Sequence, residues 1–217
     1  MRRKLAVVLS VAAALALAGC SQSSDANKET AATIPAKDQQ SPDLFKVNFD
    51  TSKGPVVVEI HRDWAPNGVD HFYTLVKTGF FDQVRIYRVV RDFVAQFGIA
   101  ADPKTNALWA NGNIPDDPVR QSNVRGTLTY AATGMPNSRS TQLFFNLRNN
   151  FMLDSRGFAP IGKVVSGMDA VDSFYNSYGD MPPNGMGPDP SMIGEQGNSY
   201  LDNHFPRLDY IKKATVQ

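Results

Sequence analysis

The sequence predicts a mainly β protein, a closed antiparallel β-barrel of about eight strands with two capping helices. Three observations predict it. Short runs of β-branched and aromatic residues recur from Phe45 almost to the C-terminus. Only two stretches carry apolar residues at helical spacing, and strands do not alternate with helices as a parallel sheet requires. No internal repeat is visible.

The elements follow in order. Phe45-Lys46-Val47-Asn48-Phe49 alternates apolar and polar residues, Thr51-Ser52-Lys53-Gly54 is turn chemistry, and Pro55 to Ile60 is β-branched, giving two strands joined by a tight turn. Ala65-Pro66-Asn67 opens a helix in which Val69, Phe72, Tyr73 and Val76 fall at helical spacing and Gly79 provides the stop. Val84 to Val90 reads as a strand and Phe93 to Phe97 as another after a short bend. Further strands are expected at Gly126–Tyr130, Leu143–Asn146 and Ala159–Val165. A second helix fits Met168 to Tyr178, where Val171, Phe174, Tyr175 and Tyr178 share a face. Ile99 to Asn123, rich in Pro, Asn and Asp, is expected to be mostly loop, and Met181 to Pro190, with four prolines and two glycines, cannot be regular structure. A short helix over Asn198 to Phe205 and a strand over Leu208 to Thr215 close the chain.

The N-terminus is of a different kind. Met1-Arg2-Arg3-Lys4 is basic, and the apolar run from Leu5 to Ala18, broken by Ser10, is shorter than the roughly 18 residues a spanning helix needs, so it reads as a signal peptide. It ends in Leu17-Ala18-Gly19-Cys20, which resembles the lipobox of bacterial lipoproteins, with Cys20 as the acylated residue. A plain secretory peptide or an uncleaved anchor is the alternative. The expected organisation is a signal peptide over 1–19, a flexible lipid-anchored tether over 20–43 and a folded domain over 44–217 with an extension from about 181. The tether is Ser, Gln, Asp, Asn, Lys, Thr and Ala, too poor in large apolar residues to offset its ordering entropy. The expected location is the bacterial cell envelope, on the extracytoplasmic side. Cleavage before Cys20 lowers Lys+Arg from 22 to 19 against 21 acids, a net charge near −2. Such a surface gives no reason to expect nucleic acid as a partner.

The three histidines, His61, His71 and His204, lie in different elements. There is no HExxH, no paired-cysteine ligand set and no glycine-rich phosphate loop, so hydrolase, metalloenzyme and nucleotide-enzyme readings lack the residues they need. His71 on the first helix reads as a surface or hydrogen-bonded residue. One string stands apart, Ile86-Tyr87-Arg88-Val89-Val90-Arg91-Asp92-Phe93-Val94-Ala95-Gln96-Phe97-Gly98. At period two, Ile86, Arg88 and Val90 share a face, which sets Arg88 among apolar neighbours. Alone, such an arginine is explained by an ordinary ion pair.

The string resembles the signature of the cyclophilins. The resemblance matches Arg88 to the catalytic arginine, Phe93 to the floor of a proline pocket, Val94 to a pocket methionine and Gln96 to a catalytic-site glutamine. A second block, Leu128-Thr129-Tyr130-Ala131-Ala132, Gly134, Asn137 and Ser140-Thr141-Gln142-Leu143-Phe144-Phe145, is similar to the family's second signature. There Phe144 falls on the pocket phenylalanine, Ala132 on the residue whose backbone holds the peptide and Gln142 on a groove residue. A third block runs from Leu153-Asp154 through Gly157 to Val165 and Gly167-Met168, and the likeness spans about residues 44 to 178. Its departures are Tyr87 for histidine, Ala132 for asparagine, Met152 or Phe151 where a tryptophan sits in cyclosporin-sensitive members, and Phe158 for a pocket histidine.

The resemblance implies a peptidyl-prolyl cis-trans isomerase that assists folding of exported or envelope proteins. Arg88 and Gln96 are then catalytic, and Phe93, Val94, Ala132, Gln142, Phe144, Met152, Leu153 and Phe158 bind substrate, with Phe93 and Phe144 only partly buried. No cofactor or metal is implied. The expected partners are proline-containing peptides and newly exported proteins, with a monomer on a lipid anchor. A proline-peptide-binding chaperone or scaffold with little turnover is the alternative, and an unrelated β-rich surface lipoprotein is the third.

Overall fold

The computed structural model describes residues 38–217; the signal peptide, Cys20 and most of the expected tether lie outside the described residues. Eight strands form one sheet: β1 (Leu44–Thr51), β2 (Gly54–His61), β3 (Arg88–Val90), β4 (Val94–Phe97), β5 (Thr127–Tyr130), β6 (Leu143–Asn146), β7 (Pro160–Ser166) and β8 (Ile211–Val216). Their order is β3-β4-β6-β5-β7-β2-β1-β8, every pair antiparallel.

The sheet is an open, strongly curled half-barrel and not the closed barrel expected, because β3 and β8 do not ladder with each other. Only their lead-in segments meet, at a single bridge between Arg85 and Tyr210, where the Ile86 N–H donates to Asp209 O (2.8 Å) and the Ile211 N–H to Val84 O (2.9 Å). The strand expected over 84–90 is therefore split: its first half leans on the lead-in to β8, and only Arg88–Val90 pairs with β4. The two-residue alternation breaks in between, so Ile86 enters the main core while Arg88 does not.

The core centres on Phe49, whose ring meets those of Phe72, Phe81, Phe97 and Phe145 at centroid distances of 5.8 to 6.2 Å. Helix α1 (Pro66–Lys77) closes one side with Val69, Phe72, Leu75 and Val76. Ala65 cannot cap it, and Asp117 substitutes from a distant loop, accepting from the N–H groups of Asn67 (3.1 Å) and Gly68 (2.8 Å). Residues 38–43 dock on the same helix. Asp38 meets His71 Nδ1 at 2.9 Å, Gln39 N–H donates to Thr74 Oγ1, and Ser41 N–H donates to Asp70 Oδ1. Among the described residues, 38–43 thus pack on the domain ahead of Leu44, and His71 is a buried, partnered residue.

Two further expectations change. Helix α3 stops at Asp172 (Met168–Asp172) instead of running to Tyr178, because the Ser173 hydroxyl donates to Ala170 O (2.8 Å) and the Tyr175 N–H is taken by the Asp209 carboxylate (2.6 Å). The 99–123 loop contains α2 (Pro103–Trp109), and the extension contains α4 (Pro190–Gln196) before α5 (Asn198–His204). Both α2 and α4 begin with Asp-Pro, the aspartate accepting the first free N–H and the proline fixing the first helical φ. Leu201, Ile193 and Leu208 of the extension form a second apolar cluster with Ile99 and Tyr87.

Gly98, which ends β4, has φ +106°, and a Cβ there would lie 2.3 Å from Thr141 O. Gly98→Ala is expected to cost about 1–3 kcal/mol or more, since both strain and a backbone clash result. Denaturant melts with the neutral control Gly194→Ala, where nothing lies within 4 Å, measure it.

Candidate active site

Register places the candidate residues in one row. Arg88 on β3 stands opposite Gln96 on β4, Gln96 opposite Phe144 on β6, and Phe144 opposite Thr129 on β5. Opposed residues share a face, so all four project away from the main core, together with Val94 two residues before Gln96. Their neighbours in sequence, Val89, Ala95, Phe97, Phe145, Leu128 and Tyr130, project into it. A separate apolar cluster forms on the outer face from Val94, Phe144 and Leu153, with Phe93, Ala131 and Phe158 packed against it.

These residues line a cavity of about 130 Å³ together with Arg88, Gln96, Ala132 and Met181. Phe93 reaches it from the turn between β3 and β4, where Asp92 takes a left-handed φ of 56°. Leu153 comes from a 3₁₀ helix over Phe151–Arg156, and Phe158 follows that helix, its ring 6.0 Å edge-on to Phe144. A second hollow of about 270 Å³ adjoins the first, sharing Gln96, Ala131, Ala132 and Met181 and adding Gln142, Ser138, Ser140 and Thr133.

The polar side of the cavity is one hydrogen-bonded chain. Arg88 Nη1 donates to Gln96 Oε1 (2.8 Å), Gln96 Nε2 donates to the Tyr87 hydroxyl (2.6 Å) and to Gln142 Oε1 (3.1 Å), and the Tyr87 hydroxyl donates to Gln142 Oε1 (2.5 Å). Burial, more than any nearby charge, pushes the Tyr87 hydroxyl far above its ordinary pKa, so it remains a proton donor. On its other edge Arg88 donates from Nε to Asp180 Oδ1 (2.6 Å) and from Nη2 to Oδ2 (3.3 Å). Burial raises the Asp180 carboxyl, but the hydrogen bonds and charge of Arg88 and the Met181 N–H outweigh it and hold it below the usual carboxylate range. The pair therefore stays ionised through neutral pH and is lost only as the pH falls through that lowered value. The guanidinium carbon lies 5.8 Å from the centroid of the Phe93 ring, within cation–π range.

A model of the family "Cyclophilin type peptidyl-prolyl cis-trans isomerase/CLD" matches residues 46–186. The chain belongs to the cyclophilin family. An isomerase of Acinetobacter baylyi is 33% identical over 141 residues, 60% of this chain and 71% of its own, and a probable isomerase of Brucella abortus is 33% identical over 171 residues, 74% and 84%. Among solved structures, a Cryptosporidium parvum cyclophilin aligns with a TM-score of 0.58 at 18% identity, covering 80% of this chain and 98% of its own. The same protein solved in the presence of the dipeptide Ala-Pro aligns at 0.57 and 17% identity, over 79% and 98%. The chain is thus an enzyme of the prolyl isomerase class with a cyclophilin fold.

In this cyclophilin the structure gathers Arg88, Gln96, Phe93, Val94, Ala132, Phe144, Leu153 and Phe158 around one cavity and Gln142 around its neighbour. Met152 is not brought in: it is 45% exposed and lines neither hollow, and Phe151 is exposed too. The 3₁₀ helix turns both outward and leaves Leu153 to face the pocket. Phe144 is 4% exposed, not partly buried as expected, because Phe158 and Leu153 cover its ring, while Phe93 stays half-buried. Arg88 has polar partners on both edges, not an apolar setting.

Sequence reasoning missed a buried polar scaffold beneath the pocket. Asn123 donates to Asp154 Oδ1 and Phe158 O (both 2.8 Å), and Asn150 donates to Phe93 O (2.9 Å) and Asn146 Oδ1 (2.8 Å). Burial raises the Asp154 carboxyl, but its bonds from Ser122 and Asn123 outweigh this and lower it. These bonds tie the Phe93, Leu153 and Phe158 walls together; single polar letters far apart in the chain gave no signal of it.

Because Phe93 is half-buried and outside the main core, Phe93→Ala is expected to lose less than the roughly 3–5 kcal/mol that a core control such as Phe72→Ala loses. It should lower kcat/KM by about tenfold or more, since the pocket floor is gone. Melts and exchange kinetics on the two variants check both halves.

Proposed function

We propose that the chain isomerises Xaa-Pro bonds in exported or envelope proteins, with Arg88 as the group that speeds rotation. The observation that carries this is a guanidinium held at the rim of a small apolar cavity, with the Phe93 ring beneath it and Gln96 beside it.

Rotation about the prolyl amide breaks no bond; the barrier of about 18–20 kcal/mol is resonance lost in the twisted state. As resonance is lost, the prolyl nitrogen becomes a better acceptor, so a fixed cationic donor there gains strength in the transition state over the ground state. Arg88 retains two of its five N–H groups for this, since Asp180 and Gln96 take three. Phe93, Val94, Phe144, Leu153 and Phe158 hold the ring by apolar contact alone. The adjoining hollow around Ala132 and Gln142 is a place for residues preceding the proline. The relative solved with Ala-Pro supports a proline peptide as ligand.

The cellular part of the proposal rests on the N-terminal sequence. A basic start, a short apolar core and Leu17-Ala18-Gly19-Cys20 fit export and acylation of Cys20, which puts the domain on the extracytoplasmic side of the envelope where exported chains fold.

Two measurements test these parts separately. Arg88→Ala should lower kcat/KM on an Ala-Pro peptide by about a hundredfold or more while the peptide still binds; binding without turnover in the unaltered protein would favour the chaperone or scaffold reading. Cys20→Ser should move the protein from the membrane to the soluble fraction, and continued membrane association at unchanged N-terminal mass would mean an uncleaved anchor.

A further inference from the structure

Asp180 stands at the start of the C-terminal extension, 92 residues from the arginine it contacts. Its position is set without that contact. Its carbonyl accepts from the Gly187 N–H (2.9 Å), its own Oδ1 accepts from the Met181 N–H (2.8 Å), and the Met181 carbonyl accepts from the N–H groups of Asn184 and Gly185 (both 3.1 Å). The loop winds so tightly on Asp180 that a Cβ on Gly185 would fall 2.2 Å from its carbonyl oxygen.

The ion pair is not what holds the extension to the sheet. Ile193, Leu201 and Leu208 pack with Ile99 and with Tyr87, the residue adjacent to Arg88. The Arg88 and Asp180 side chains are only 15% and 23% exposed, a setting in which the cost of desolvating the two charges offsets much of their attraction. What the carboxylate does control is direction. Arg88 has a long flexible stem on a three-residue strand at the end of the sheet. Nε and Nη2 on Asp180 and Nη1 on Gln96 give three fixed points, which define the guanidinium plane and leave its free N–H groups on Nη1 and Nη2.

We propose that Asp180 is a positioning residue of the isomerase: its carboxylate fixes the Arg88 guanidinium so that the free N–H groups meet the prolyl nitrogen as the amide twists. The extension is then part of the catalytic apparatus, with Met181 beside Asp180 completing the cavity wall. This rests on Arg88 being the donor of the proposed function. The opposing effect, loss of effective positive charge next to a carboxylate, is outweighed because a mobile cation seldom presents its donor in the direction the twisted nitrogen requires.

The test is a kinetic comparison on the full chain by NMR exchange with an Ala-Pro peptide. Asp180→Asn, nearly the same in shape, should lower kcat by about tenfold or more with KM within about threefold and with the melting temperature little changed. Asp180→Glu should retain more of the rate than Asp180→Asn. In an Arg88→Ala background Asp180→Asn should cause no further loss. A native or raised kcat in Asp180→Asn, or a full additional loss in the Arg88→Ala background, overturns the proposal. Should Asp180→Asn fold poorly, the unaltered protein decides: the Arg88 Nε–H should give a slowly exchanging ¹⁵N-coupled proton signal at neutral pH, and a freely exchanging one overturns the proposal. Failure of the underlying reading is seen separately, as an Arg88→Ala variant that keeps its full rate.

Discussion

A strand can send only every second side chain to a given face, and this constraint lets three short strands serve two purposes. In β4, Ala95 and Phe97 go to the core while Val94 and Gln96 go to the pocket; in β6, Leu143 and Phe145 go inward and Phe144 outward. A slip of one residue in β4 would turn Gln96 into the main core and Phe97 toward the pocket. The close approach of Gly98 to Thr141 fixes that register where β4 leaves the sheet, with the Thr141 hydroxyl donating to Gly98 O (2.8 Å). The geometry of the site therefore derives from the packing around Phe49 on the opposite face.

Walls are added to this row by segments outside the ladder. The Asn123, Asn146 and Asn150 network brings the 3₁₀ helix and the Phe93 turn to the apolar side, in a buried region where each unmet polar group would be costly. The extension brings Asp180 and Met181 to the polar side and packs against Tyr87, whose hydroxyl reaches Gln96 and Gln142. Tyr87 thus links the second apolar cluster to the hydrogen-bonded chain that ends on Arg88. Tyrosine at this position, where the family signature has histidine, suits both tasks, since its ring packs with Leu208 and Ile193 while its oxygen donates and accepts.

Much of this was legible in the chain. Alternation gave β1 and a β-branched run gave β2, Pro66 and Gly79 bounded α1, and the blocks around Arg88, Phe144 and Leu153 carried the family and most of the cavity lining. What was not legible depended on distant partners. Nothing in Val84–Val90 marks the switch of partner from the β8 lead-in to β4 that leaves the half-barrel open. Nothing in Phe174–Tyr178 shows that the Asp209 carboxylate takes an N–H the helix would have used. Met152 was misplaced because neighbours on a 3₁₀ helix cannot all face one pocket. The reading of Arg88 as simply ion-paired held a true element, since Asp180 does pair with it; only the fold shows that the pair lies on the rim of the cavity.

In the proposed mechanism, catalysis needs a guanidinium fork held in one direction, not merely a positive charge near the pocket. NMR exchange of an Ala-Pro peptide with Arg88→Lys tests it most directly, because lysine keeps the charge and loses the planar fork that Asp180 and Gln96 grip. The exchange rate should fall by about tenfold or more with the peptide still bound. A lysine variant within about twofold of the native rate would contradict it, since charge alone would then suffice.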